Sequence, residues 1–370
     1  MKKLRAFLQR KDIGFSGKRY GIDALGAMAQ GLFCTLLVGT ILNTIGQQFA
    51  IGLLNEVIVT VGKGDGAVSY TIGGLASAMV GPGIAIAIGT ALHAPGLVLF
   101  SLIPVGFAAN AMGGAGGPLA VYFVAILACE CGKLVSKETK IDILVTPIIT
   151  ILAGIGFAAL VAAPIGTAAK AVGQAIMWAT DLQPFFMGII VSVLVGIALT
   201  LPISSAAICA SFGLVGLAGG AAVAGCCAQM VGFAVMSFRE NRWGGLVAQG
   251  VGTSMLQMPN IVKNPRIWIP PTLASAITGP LATCLFQLEM NDPGGGLASG
   301  MGTCGFVGQI GVYSGWANDI ATGAKAAITA TDWIALVLIC FVLPAILSWF
   351  FCLILRRWGW IKENDLKLNL

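Results

Sequence analysis

The chain reads as long apolar runs separated by short polar or glycine-rich breaks. A spanning helix needs about 20 apolar residues, because each adds about 1.5 Å against a hydrocarbon core of about 30 Å. Runs at 25–47, 70–92, 94–109, 118–131, 141–169, 185–201, 214–238, 267–288, 298–315 and 333–355 approach or exceed that length. A membrane barrel would instead show repeated apolar–polar alternation, which the chain lacks. The pattern therefore predicts an all-α polytopic membrane protein of about ten transmembrane helices, since helices satisfy their own backbone groups in lipid. The third and fourth runs are parted by a turn at Gly113-Gly114-Ala115-Gly116-Gly117-Pro118. Stretches 48–69 and 170–183 mix charged or amide residues with apolar ones. Both are expected to lie at the membrane surface, the second anchored by Trp178.

One region fits no plain span. Residues 245–266 read GLVAQGVGTSMLQMPNIVKNPR, apolar enough for membrane depth yet carrying Gln249, Thr253, Ser254, Gln257, Asn260, Lys263 and Asn264. Pro259 and Pro265 interrupt a helix there, and the freed backbone groups need partners. The expectation is a re-entrant hairpin facing an internal cavity; the other reading is an external surface loop.

The two halves look related. Leu37-Val38-Gly39-Thr40-Ile41-Leu42 resembles Leu194-Val195-Gly196-Ile197-Ala198-Leu199, Gly74-Leu75-Ala76 resembles Gly216-Leu217-Ala218, and TKIDILVTPIITILAG from Thr139 resembles NPRIWIPPTLASAITG from Asn264. Five spans in each half would make the copies inverted, with a substrate held near the midplane. The expected organisation is a basic cytoplasmic segment 1–20, a first transmembrane repeat 21–183, a second 184–355 and a cytoplasmic tail 356–370, the two inverted repeats carrying re-entrant hairpins.

Composition sharpens the class. Fifty-seven per cent of the 370 residues are hydrophobic and 10% charged, against about 25% charged in soluble domains. So few ionic groups exclude an ordinary soluble enzyme, a nucleic-acid reader and a disordered chain. The net charge of +6 collects at the ends: Lys2, Lys3, Arg5, Arg10, Lys11, Lys18 and Arg19 at one, Arg356, Arg357, Lys362 and Lys367 at the other. Positive flanks stay inside, so both termini are expected in the cytoplasm of a multi-pass inner-membrane protein. The first apolar run is too long for a signal-peptide core and is expected to remain as a span. The ten cysteines lie mostly within apolar runs without zinc-type spacing, which suits helix packing rather than a metal or disulfide scaffold. No cofactor signature, phosphate loop or catalytic triad is present in the pattern.

Intramembrane polar residues mark candidate sites because they are costly to place in lipid. Ser254, Gln257, Asn260 and Asn264 cluster at the interrupted segment; Glu289 precedes the glycine-rich Asn291–Gly296; Gln309 lies in GMGTCGFVGQIG; Asn110 stands where a run breaks. Amides donate and accept together, which suits sugars and polyols, although amides also glue helices without binding anything. His93, the sole histidine, sits beside Pro95 as a loop residue or a proton relay.

LPISSAAICASFGLVGLAGGAAVAGCCAQMVGFAV, GTSMLQMPNIVKNPRIWIPPTLASAITGP and GMGTCGFVGQIG resemble one family, and GIDALGAMAQGLFCTLLVGTILNTIG and GGAGGPLAV look similar too. It is the membrane-embedded enzyme IIC component of bacterial phosphoenolpyruvate-dependent sugar phosphotransferase systems, in its short IIC-like, perfringolysin-regulator-like branch. The resemblance implies a dimeric permease that delivers a sugar or polyol to a separate cytosolic IIB protein for phosphorylation. It would be at most the membrane part of a sugar phosphotransferase, with no catalytic domain, metal or cofactor of its own and no nucleic-acid partner. The glutamate-containing sugar motif of glucose-type members is absent. This keeps open a secondary transporter, or a membrane sensor or regulator, for a non-sugar solute.

Overall fold

The computed structural model describes residues 2–63, 66–291 and 296–368, and the protein is 78% helical. Among the described residues, five helical stretches are long and apolar enough to cross a membrane: Arg19–Gln48, Gly96–Val135 (which reverses at Gly114), Asp142–Thr180, Gly216–Met236 and Ala330–Arg357. Ile72–Ala78 and Val80–Ala91, bent by 54°, make a sixth if taken as one span, and Pro184–Thr200 is a shorter apolar helix. The run at 267–288 stays helical from Pro265 to Leu285 with changes of winding, tight over Pro265–Trp268, regular over Ile269–Pro280 and wide over Leu281–Leu285. Left-handed backbone at Gly302, Gly305 and Phe306 breaks the run at 298–315 before Val307–Ala321 begins.

The stretch 48–69, expected as a surface segment, contains the start of a small antiparallel hairpin, Val59–Val61 against Val68–Tyr70. Its β-branched side chains favour extended backbone. The tip residues Gly64 and Asp65 lie outside the described residues, as do Asp292–Gly295. The stretch 170–183 mostly continues a helix, Asp142–Thr180, rather than forming a separate surface element.

The chain divides into two compact units, Met1–Ala168 and Ala169–Leu370. In the first, Gly96–Gly113 and Gly117–Val135 fold back on one another across Gly114 (φ 52°). Val98, near the start of one, lies against Gly132, near the end of the other, which fixes them as antiparallel. In the second, Gly216–Met236 is the central helix, 94% buried along its most apolar window. Pro184–Thr200, Ile269–Pro280 and Leu343–Arg357 pack around it. Lipid supplies little hydrophobic drive between helices, so close backbone approach matters most. A Cβ on Gly225 would collide with the Ser192 carbonyl, and Ser192 donates to the Ser275 carbonyl at 2.8 Å.

Candidate functional site

In the second unit the segment Phe238–Val247, kinked at Arg242 where φ is 53°, runs into a wide helical turn, Ala248–Gly252, and then stops at extended Thr253. Ser254–Gln257 is a single tight turn, and Met258–Lys263 is a short helix that carries Pro259 in its first turn, where the missing N–H costs nothing. Asn264 is extended again, as a residue before proline prefers. Two caps hold the breaks: Thr253 Oγ1 accepts from Met255 N at 3.1 Å and Asn264 Oδ1 from Arg266 N at 3.2 Å. Sequence chemistry thus produces a backbone broken at both ends within an apolar bundle.

The broken segment aligns its amides head to tail. Asn260 Nδ2 donates to Gln257 Oε1 at 2.8 Å, Gln257 Nε2 to Gln249 Oε1 at 2.8 Å, and Gln249 Nε2 to Ser237 Oγ at 2.8 Å. Gln249, Gln257 and Asn260 are all buried. The remaining donors reach the segment that follows the last helix. Gln257 Nε2 donates to the Leu366 carbonyl at 3.0 Å and Asn260 Nδ2 to the Lys367 carbonyl at 2.9 Å. Asn264 Nδ2 donates to the Trp360 carbonyl at 2.9 Å and to Asp365 Oδ2 at 2.8 Å.

Ser254 belongs to a deeper cluster. Its hydroxyl shares a hydrogen bond with Thr200 Oγ1 at 2.8 Å, and Thr200 in turn donates to Gln229 Oε1 at 3.3 Å. Trp268 Nε1 donates to the same oxygen at 3.0 Å, while Gln229 Nε2 donates to Thr272 Oγ1 at 3.3 Å. Gln309 Nε2 reaches Cys227 Sγ at 3.1 Å, and its buried Oε1 has no hydrogen-bond partner. Gln257 and Asn260 are therefore joined in one row, Ser254 sits in the neighbouring Thr200–Gln229 cluster, Gln309 on Val307–Ala321 lies against Cys227 of the central helix, and Asn264 lies toward the tail.

Glu289 and Asn110 stand elsewhere. Met290, next to Glu289, exchanges backbone hydrogen bonds with Gly216 at the start of the central helix, whereas Gln249 bonds Ser237 just past its end. The helix between them has 21 residues, about 30 Å at 1.5 Å each. Glu289 is exposed there, with Asn291 Nδ2 at 3.4 Å. Asn110 lies in the first unit, packed against Gly81 and Gly117 beside the reversal at Gly114.

The first unit has a charged knot of its own. Lys133, 1% exposed, donates to the carbonyls of Asp12 at 2.6 Å and Leu92 at 3.0 Å, and lies 3.3 Å from Glu130 Oε2. Tyr20 Oη donates to Glu130 Oε1 at 3.0 Å. Asp12, in the loop before the first long helix, is held at a pKa of about 2, chiefly by its hydrogen bond from Arg19. A cleft of about 410 Å³ opens among Arg10, Lys11, His93, Lys137 and Glu138. Glu138 titrates below its ordinary range because Lys11 bonds its carboxylate.

Among the described residues no group of three or more His, Cys, Asp or Glu side chains could hold a metal ion. Gln229, Thr200 and Trp268 are site residues that sequence reasoning did not single out. One signal was available for Gln229: a lone amide inside the apolar run GCCAQMVGF. Against known proteins, the family described as "Phosphotransferase system, EIIC" matches residues 22–368. No curated protein and no solved structure matches the chain.

Proposed function

This chain belongs to the phosphotransferase-system EIIC family, and from that premise we propose that it is the permease subunit that carries a sugar or polyol across the cytoplasmic membrane. A separate cytosolic IIB protein would phosphorylate the solute. The observation that carries the reading is the uncharged row of buried amides at a doubly broken helix. Amides match hydroxyls as donors and as acceptors, and broken backbone is tolerated at membrane depth only inside protein or along a cavity. Ser254, Gln257 and Asn260 are the proposed contacts, with the free Gln309 carbonyl oxygen accepting a further hydroxyl; Asn264 contributes less because it faces the tail. Glu289 would meet the solute at another stage of its passage, and Asn110 is the candidate contact in the first unit. The proposed setting is about ten helices in two inverted repeats, with both termini cytoplasmic and the chain paired as a homodimer.

The test is uptake of labelled hexoses and polyols into proteoliposomes, with and without a phosphorylated IIB protein inside. Uptake that needs IIB is expected. Asn260→Ala should weaken it about tenfold, the effect of losing about 1.4 kcal/mol, while exposed Trp243→Ala leaves it unchanged. Uptake by the chain alone would identify a secondary transporter, and binding without flux a sensor. Full activity in Asn260→Ala would remove the amide row from the site.

A further inference from the structure

After Arg357 the chain turns back on itself at Gly359, whose φ of 71° is left-handed. The residues that follow lie along the broken segment. Ile361 is 2% exposed and Leu366 fully buried, while Lys362, Glu363, Asn364 and Lys367 face outward. Four amide side chains hold the backbone of this stretch. Asn264, Gln257 and Asn260 donate to the carbonyls of Trp360, Leu366 and Lys367. Asn241 grips it twice: its Nδ2 donates to the Leu366 carbonyl at 2.7 Å, and its Oδ1 accepts from Leu368 N at 2.8 Å. The Arg266 guanidinium lies 5.1 Å from the Trp360 ring centre. We propose that Gly359–Leu368 is a strap that closes the amide row from within the chain, and that its release uncovers Gln257 and Asn260 for solute.

Three features favour a releasable strap over a permanent wall. Its apolar anchorage is slight, with only Ile361 and Leu366 buried, Asp365 and Leu368 half-buried and the other side chains exposed. A cleft of about 360 Å³ lies between Arg239, Arg242 and Arg356 on the helices and Glu363 and Lys367 on the strap. The hydrogen bonds on the row are also of a kind a polyhydroxy solute replaces one for one: a peptide carbonyl leaves an amide N–H and a hydroxyl oxygen takes its place. Solute and strap then compete for the same donors, and the observed affinity is the intrinsic one reduced by the fraction of molecules with the strap released. That the strap regulates solute rests on the permease reading; that it covers the row does not.

Asn241 allows a test, because it holds the strap and is not one of the proposed solute contacts. Cys34 and Cys284, the exposed cysteines, are first changed to serine, and Asn260→Cys is added as a reporter. With Asn241 intact, labelling of position 260 by a hydrophilic maleimide should be slow. Asn241→Leu, or a chain ended after Gly359, should speed it on the order of tenfold, as expected when a local closure is lost. Equal rates in all three proteins would overturn the strap. In a second arm Asn260 is retained, and hexose and polyol binding is compared between the parent and Asn241→Leu. Several-fold tighter binding in the variant supports the strap as a gate. Faster labelling with unchanged or weaker binding would overturn the gate and leave a structural tie. Faster labelling with no sugar bound by either protein would uphold the closure and sink the permease reading instead.

Discussion

Asp12 lies between the Arg19 guanidinium at 2.9 Å and the His93 ring at 3.2 Å, with the Lys133 ammonium holding its own backbone carbonyl. Its carboxyl group titrates near 2 rather than 3.8. A lowered folded pKa contributes stability that is complete above the unfolded value and disappears as pH falls through the folded one. Asp12→Asn should therefore lower the melting temperature of the detergent-solubilised protein at pH 7, and the gap from wild type should close as pH drops from about 4 toward about 2; a gap constant across that window would show that the ion pairs contribute nothing. The sequence marks His93 as a loop residue beside Pro95, and it is 77% exposed with a left-handed φ of 56°. The amides of 249–264 are equally legible, since each interrupts an apolar run. Their partners are not. Asn241 and Leu366 stand 125 positions apart, and no local pattern announces a contact of that range.

At the scale of elements, small residues decide how near the helices come. Gly225 on the central helix faces the Ser192 carbonyl so closely that an added methyl group has no room. Gly225→Ala should destabilise the second unit by about 1–3 kcal/mol, the usual cost of overpacking, measured as a lower midpoint of thermal unfolding in detergent. Gly156→Ala, where the added carbon meets nothing within 4 Å, is the control and should be neutral or slightly stabilising. Glycine content alone does not separate these positions, because contact between helices depends on register. The helix Asp142–Thr180 makes the same point. Ala158, Ala162, Gly166, Ala169, Gly173 and Ile176 form one buried stripe at three- and four-residue spacing, with Lys170 and Gln174 on its exposed side. Read by hydropathy, those polar residues suggest a new surface segment; read by helical angle, they are the outer face of a helix that continues.

For the molecule as a whole, apolar runs and glycine content make an all-helical membrane protein readable from sequence, and the family match over 22–368 agrees. The number of crossings is less legible, because hydropathy does not show where left-handed backbone at Gly302, Gly305 and Phe306 breaks a run into short pieces. Pairing is a proposal that a mass measurement decides: in lipid nanodiscs the protein should appear at twice the 37.9 kDa of one chain, and a monomer under the same conditions would exclude the dimer. The strap has one more consequence. Lys362 and Lys367 balance Glu363 and Asp365, and the row that holds it, Ser237, Gln249, Gln257 and Asn260, bears no ionisable group. Membrane voltage does work of about 2.3 kcal/mol per elementary charge moved across 100 mV. If the strap moves as one rigid body without turning, its balanced charges draw no net work from that field, and its release should be equal in an energised and a depolarised cell.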